Sequence, residues 1–143
     1  MLGNIDSSIT ISIVIPCRNE EAYIGACIES VLASEYPDHK LEVLVCDGVS
    51  TDRTAEIVRE YSEKNSSVRL LVNEERYTPN ALNLGIKNAE GSFVMILGAH
   101  AVLDPLFLAK AEQLLDEHPD AGCVGGYIEN ITEGGFSSSV SAA

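Results

Sequence analysis

The sequence predicts an α/β fold, a doubly wound and mostly parallel sheet with helices on both faces, and three observations carry that expectation. Apolar runs of strand length alternate with stretches of helical periodicity. The runs are nearly continuous in β-branched and other apolar residues, as in strands buried on both faces. Small or polar residues follow each run directly, where such a sheet would place its loops.

Ile11 to Ile15, closed by Pro16, reads as the first strand. Glu21 to Leu32 sets Ile24, Ile28, Val31 and Leu32 at helical spacing, and Asn19 in front can cap the first turn. Leu41 to Cys46 is the second strand. Thr51 or Asp52 is placed to cap a helix from Arg53 to about Lys64, with Ala55, Ile57, Val58 and Tyr61 on its apolar stripe. Val68 to Val72 is the third strand. A helix opens at Pro79 and ends near Ala89, with Gly91 as its stop, and Phe93 to Leu97 is the fourth strand. Asp104 is expected to cap a helix from Pro105 to about His118, after which Cys123 and Val124 open a fifth strand. The βα alternation implies right-handed crossovers. Residues 1–143 read as one domain, and the Gly- and Ser-rich stretch 134–143 as a flexible tail.

Nine basic against 22 acidic residues give a net charge of −13, which disfavours binding to a nucleic-acid backbone. A small phosphorylated ligand stays compatible, since a local arginine, a helix N-terminus or a cation can neutralise it. Cys17, Cys27, Cys46 and Cys123 form no C-x-x-C pair, so neither zinc nor a disulfide framework is signalled and buried free thiols are expected. No apolar run approaches the roughly 20 residues that span a bilayer, and no secretory leader stands at the N-terminus; the expectation is a cytoplasmic chain.

Ligands of such sheets bind outside the carboxyl ends of the strands. Four segments there stand out: Pro16-Cys17-Arg18-Asn19-Glu20, Asp47-Gly48-Val49-Ser50-Thr51-Asp52, Gly98-Ala99-His100 and Gly125-Gly126-Tyr127. None carries a dinucleotide, P-loop or nucleophile-elbow motif. Asp47 ends a buried strand, where a carboxylate is costly unless it is hydrogen-bonded.

In this order the segments become specific. Ile13-Val14-Ile15-Pro16-Cys17-Arg18-Asn19-Glu20-Glu21 resembles the opening strand and loop of family 2 glycosyltransferases, and Asp47-Gly48-Val49-Ser50-Thr51-Asp52-Arg53-Thr54 resembles their D-G-x-S-T-D-x-T segment. Ala81 to Gly91 and the apolar strand before the family's D-x-D position extend the resemblance over nearly the whole chain, and Ala81-Leu82-Asn83 with Gly98-Ala99-His100-Ala101 looks closest to the succinoglycan type. The resemblance implies a Rossmann-like nucleotide-diphospho-sugar transferase fold and an inverting transfer from a nucleotide-diphosphate donor, a UDP-sugar before a GDP-sugar. The acceptor would be a glycan or a lipid-linked species in polysaccharide assembly, at the inner face of the cell membrane if a part beyond residue 143 attaches the protein there.

By the same resemblance Asp47 would accept the imide N–H of uracil, Pro16 and Arg18 would line base and ribose, Arg76 would face the diphosphate, and Ala99 would border the donor. Each has a plainer alternative: a helix-approach carboxylate, structural turns, a solvated arginine. Glu20 and Asp52 read better as first-turn acids that complement a helix dipole than as catalysts.

The chain departs from the family at the metal site. Gly98-Ala99-His100 stands where D-x-D would hold Mg²⁺ or Mn²⁺, with His100 in the place of the direct ligand. Imidazole is a poor Mg²⁺ ligand, so a Mn²⁺ preference and a metal-independent, His⁺-assisted leaving group are both open. The general base is expected beyond residue 143, with the acceptor-binding part. A nucleotide-binding module that has lost its metal site is the alternative to the enzyme. A nucleotidyltransferase would want a basic first loop, which Pro16 to Glu20 does not supply.

Overall fold

The computed structural model describes residues 8–131 and 137–140. The first of two compact units extends to Pro105 and the second begins at Leu106. The first holds four parallel strands, β1 (Ile11–Cys17), β2 (Leu41–Asp47), β3 (Val68–Val72) and β4 (Phe93–Ile96), in the order β3-β2-β1-β4. Burial follows position in the sheet. The central strands β1 and β2 are buried along almost their whole length, while the edge strand β4 alternates between half-buried and exposed residues.

Helices α1 (Ile24–Leu32) and α2 (Thr54–Lys64) connect β1 to β2 and β2 to β3, stepping the same way across the sheet. α3 (Thr78–Asn88) steps back past β1 to β4. Right-handed crossovers therefore put α1 and α2 on one face and α3 on the other. α1 and α2 pack on each other, with the Tyr61 hydroxyl donating to Glu29 at 2.6 Å, and cover the face of Ile13, Ile15, Val43 and Val45. On the opposite face Ala81 of α3 packs with Val14, Leu44 and Cys46. Removing such a side chain from water stabilises the fold by about 1.5–3 kcal/mol. α3 approaches closely because Gly85 carries no side chain: a Cβ there would collide with the Val14 side chain.

The amino end of the sheet is closed by a buried polar cluster. Glu42, 5% exposed, accepts from the Ser12 hydroxyl at 2.5 Å and the Glu90 amide at 2.6 Å, with Arg69 at 3.6 Å, and Ser12 accepts from the Gly91 amide at 2.8 Å. A carboxylate is tolerated there because its oxygens are occupied.

The second unit contains α4 (Phe107–Glu117) and an antiparallel pair, β5 (Ile128–Ile131) with β6 (Ser137–Val140). Two expectations change here. Among the described residues the fifth strand starts at Ile128 instead of Cys123 and pairs with β6, outside the parallel sheet; the segment before it, with Gly125 and Gly126, has no regular structure. Of the stretch expected to be an irregular tail, Ser137–Val140 is a strand, and residues 134–136 and 141–143 lie outside the described residues.

Caps also differ. α1 begins three residues later than its periodicity suggests, without a side-chain cap, and Asn19 bonds across to another loop instead. Asp104 does not cap α4, which starts after Leu106 without a side-chain cap. Asp52 does serve α2, accepting from the Thr54 amide at 2.9 Å and hydroxyl at 2.5 Å.

Candidate functional site

The loops after β1 and β2 are tied together residue by residue at the carboxyl edge of the sheet. The Asn19 amide donates to the Ser50 hydroxyl at 2.9 Å, and the Asn19 side-chain carbonyl accepts from the Thr51 amide at 2.8 Å. The Glu20 amide donates to the Thr54 hydroxyl at 2.8 Å. The Glu21 amide reaches Asp52 at 3.2 Å, and Glu21 returns the favour to the Arg53 amide at 3.1 Å. Thus Glu21 and Asp52, each just ahead of a helix instead of in its first turn, accept from a backbone amide of the opposite loop and tie the two helix approaches together. The contacts from the Thr54 hydroxyl and amide and the Glu21 amide outweigh what desolvation there is, and hold the Asp52 carboxyl below its ordinary value.

Asp47 lies inside this brace, 4% exposed. Its carboxylate accepts from the Ser50 hydroxyl through a very short bond and from the Ser50 amide at 3.1 Å, with the Cys17 thiol 3.9 Å away. Burial and then the charge of Asp47 push the Cys17 thiol far up, so it stays a neutral donor. The Asp47 carbonyl accepts from the Asn73 amide at 2.8 Å, and Asn73 in turn holds the loop after β3 by accepting from the Arg76 amide at 3.1 Å and donating to the Tyr77 carbonyl at 3.0 Å. This buried asparagine was not singled out in the sequence. Its place directly after a strand was the signal.

Gly48 is the floor between two arginines. A Cβ there would stand 3.2 Å from the Arg76 carbonyl and 3.4 Å from Cβ of Arg18. Both side chains are exposed, and neither guanidinium has an ion-pair partner among the described residues. Pro16 is paired in register with Cys46 one step behind. Pro16, Arg18, Asp47 and Arg76 are thereby gathered around one spot. Asn19, Val49 and Arg76 sit at φ of 52°, 56° and 66°, one in each of the three loops. For Val49, a β-branched residue, this is a strained conformation that its surroundings impose.

The loop after β4 makes the second half of the edge. Ala99 is buried, the Ala101 amide closes a turn on the Gly98 carbonyl at 3.0 Å, and the Cys27 thiol lies 3.5 Å from the same carbonyl. His100 projects outward with Nδ1 2.9 Å from Glu20 Oε2 and its ring edge-on to Tyr23 at 6.0 Å. Glu20, expected to serve only the helix, thus links this loop to the first. A cavity of about 350 Å³ bordered by Leu41, Glu42, Arg69 and Glu90 opens at the other, amino end of the strands. Its Glu42 carboxylate is already satisfied by the Ser12 hydroxyl and the Glu90 amide, and the sheet rule for ligands favours the loop edge.

The carboxyl edge of an open, parallel α/β sheet is where such folds take ligands, and here it carries exposed Arg18 and Arg76 and a buried Asp47-Gly48. The chain belongs to the family 2 glycosyltransferases: a family model described as Glycosyl transferase family 2 matches residues 12–142.

Among curated relatives, it is 40% identical over 129 residues to the dolichyl N-acetyl-alpha-D-glucosaminyl phosphate 3-beta-D-2,3-diacetamido-2,3-dideoxy-beta-D-glucuronosyltransferase of Methanococcus voltae, covering 86% of this chain and 40% of that one. It is 32% identical over 108 residues to the poly(ribitol-phosphate) beta-N-acetylglucosaminyltransferase TarS of Staphylococcus aureus, covering 75% and 19%. A crystal structure of TarS in complex with UDP-GlcNAc superposes with a TM-score of 0.70 at 30% identity, over 78% of this chain and 32% of that one. The mannosyltransferase PcManGT of Pyrobaculum calidifontis, in complex with GDP-Man and Mn²⁺, superposes with a TM-score of 0.67 at 32% identity, over 73% and 32%. The chain therefore spans well under half the length of these relatives. The finer likeness to the succinoglycan type rests on the motif residues alone.

Proposed function

We propose that this chain binds the nucleotide diphosphate of a sugar donor, a UDP-sugar first, at the loops after β1 to β4. The observation that carries the proposal is the close approach to Gly48, next to the buried Asp47, of the Arg76 backbone and the Arg18 Cβ, both arginines being exposed and without an ion-pair partner among the described residues. In this reading Asp47 accepts the imide N–H of the base and Pro16 and Arg18 flank base and ribose. Arg76 meets the diphosphate, where a planar fork of donors suits phosphate oxygens. Gly48 lets the base approach the backbone. The UDP-GlcNAc complex of TarS supports a uracil nucleotide, and the GDP-Man complex of PcManGT makes GDP the competitor to test.

Within a longer protein the domain would serve transfer of the sugar, with inversion, to a glycan or lipid-linked acceptor in polysaccharide assembly at the inner face of the membrane. Proton abstraction from the acceptor would fall to a carboxylate outside this chain. A divalent cation would assist the leaving diphosphate, as the Mn²⁺ in the PcManGT complex suggests. Gly98-Ala99-His100 favours a second reading, a binding module without catalysis. The transferase names of the relatives weigh against it.

A thermal-shift panel of UDP, GDP and CDP, each with EDTA, Mg²⁺ or Mn²⁺, tests the binding reading directly. UDP at 100 times its Kd should add about 2.7 kcal/mol to the stability, and CDP at the same concentration much less. Equal shifts for all three would deny base recognition by Asp47.

A further inference from the structure

Among the described residues no group of three or more His, Cys, Asp or Glu side chains able to hold a metal occurs, and the His100 imidazole at the β4 loop is engaged by Glu20. The loop after β2 is built more tightly. Asp47 ends that strand as a carboxylate 4% exposed, and one residue takes both of its oxygens. Ser50 donates its hydroxyl to Oδ1 through a very short bond and its amide to Oδ2 at 3.1 Å. The direction of the hydroxyl is fixed, because Ser50 Oγ itself accepts from the Asn19 amide at 2.9 Å and so turns its own proton onto Asp47. The loop holds this arrangement against a backbone cost, with Val49 at φ 56° between Gly48 and Ser50. Two donors carried on one residue meet a carboxylate as a fork, on the side where its oxygens face them together. That side of Asp47 is therefore closed. The accepting places that remain lie on the outer flanks of the two oxygens and point apart.

We infer that Ser50 is the positioning residue that sets base choice: by occupying the fork of Asp47 it limits the site to bases that present one N–H, and excludes guanine, which presents two side by side. The inference rests on the nucleotide reading above. Uracil carries its imide N–H between two carbonyls, so a single accepting place on Asp47 serves it. Guanine offers N1–H and the exocyclic amine on the same edge, a pair that suits both oxygens of an open carboxylate. On the occupied Asp47 only one of these donors finds an acceptor. The other is desolvated without return, which costs about 10-fold or more in affinity. Ring size is a separate matter. Hypoxanthine has the ring system of guanine and its N1–H without the amine, so comparing inosine diphosphate (IDP) with GDP counts donors alone.

Calorimetry on this chain with UDP, IDP and GDP tests it, with unfolding midpoints of each variant alongside. The parent should bind IDP at least about 10-fold more tightly than GDP. Ser50→Ala opens Oδ1 and frees the carboxylate to turn, so GDP should gain on IDP until the two bind equally or GDP leads, while UDP weakens. Ser50→Thr keeps the hydroxyl and should keep the order of the parent.

A gain of GDP over IDP is not an effect that misfolding can mimic, and the order of the two in the parent tests the inference even if Ser50→Ala does not fold. UDP binding by a parent that takes IDP no more tightly than GDP would overturn this inference and leave the nucleotide site standing. So would one order shared by the parent and Ser50→Ala, or a reversal in Ser50→Thr. Purine nucleotides that bind neither the parent nor Ser50→Ala would overturn it too, since ring size would then make the choice. Absence of UDP binding under every condition would overturn both.

Discussion

At Val49 a β-branched side chain is held at φ 56°, where its Cβ crowds the following carbonyl at a cost of about 1–2 kcal/mol. Nothing in the tripeptide Gly48-Val49-Ser50 asks for this conformation. It follows from the brace, in which Ser50 must turn both its amide and its hydroxyl onto Asp47. Val49→Gly should therefore raise the urea midpoint by the equivalent of about 0.5–1 kcal/mol, the strain relieved less the extra chain entropy of glycine. A lowered midpoint would mean that the Val49 side chain contributes more by packing than its backbone costs. Asp47 was legible in the sequence because a carboxylate ending an apolar strand demands a partner. Its partners were not legible, since Ser50, Cys17 and Asn73 look like ordinary loop residues until the chain folds back on itself. Glu20 shows the limit most clearly: as a first-turn acid it has a sufficient local explanation, and its contact with His100 spans 80 positions of sequence.

Among the elements, those with strong periodicity were readable and their ends were not. The four parallel strands and the helices between them stand within a few residues of where hydrophobic spacing puts them, because burial on one or both faces is written into the order of apolar residues. Asn19 and Asp104 are cap-forming residues at the expected starts, yet neither caps its own helix; Asn19 shows why, since a short polar side chain near a helix start can equally well bond to a neighbouring loop. The fifth strand was misplaced because Cys123 and Val124 have strand propensity, whereas pairing depends on a partner that propensity does not reveal. Helix α3 offers a direct test of packing. Gly85→Ala improves helix propensity by roughly 1 kcal/mol but drives a methyl into Val14, so the net effect in urea unfolding should be a loss of about 1–2 kcal/mol. The double variant with Val14→Ala should recover part of that loss. Strict additivity of the two substitutions would show that the helix had simply moved away.

For the whole molecule the thiols report on the integrity of the core. Cys17, Cys27 and Cys46 are buried and Cys123 is exposed, so the expectation of four buried thiols holds for three. Burial pushes Cys27 and Cys46 up to about 11 from an ordinary value of 9.0. The unfolded chain releases these protons near 9 and the folded one only near 11. Stability should thus be level below pH 9 and fall between pH 9 and 11, by about 1 kcal/mol per pH unit for each thiol. Urea midpoints measured from pH 7 to 11 check this, and a midpoint that holds constant to pH 11 would contradict the burial of both thiols.

The central claim, that the Asp47 loop reads a nucleotide, has a test that separates recognition from architecture. Asparagine at position 47 can still accept from the Ser50 amide and donate to the Ser50 hydroxyl, but it presents an N–H where the carboxylate would meet the imide of the base. The measurement is the UDP affinity of the parent and of Asp47→Asn by calorimetry, with unfolding midpoints alongside. The account predicts midpoints within about 0.5 kcal/mol of each other and a UDP affinity at least about 10-fold weaker in the variant, a loss of roughly 1.4 kcal/mol. Equal affinity in the two proteins would contradict it.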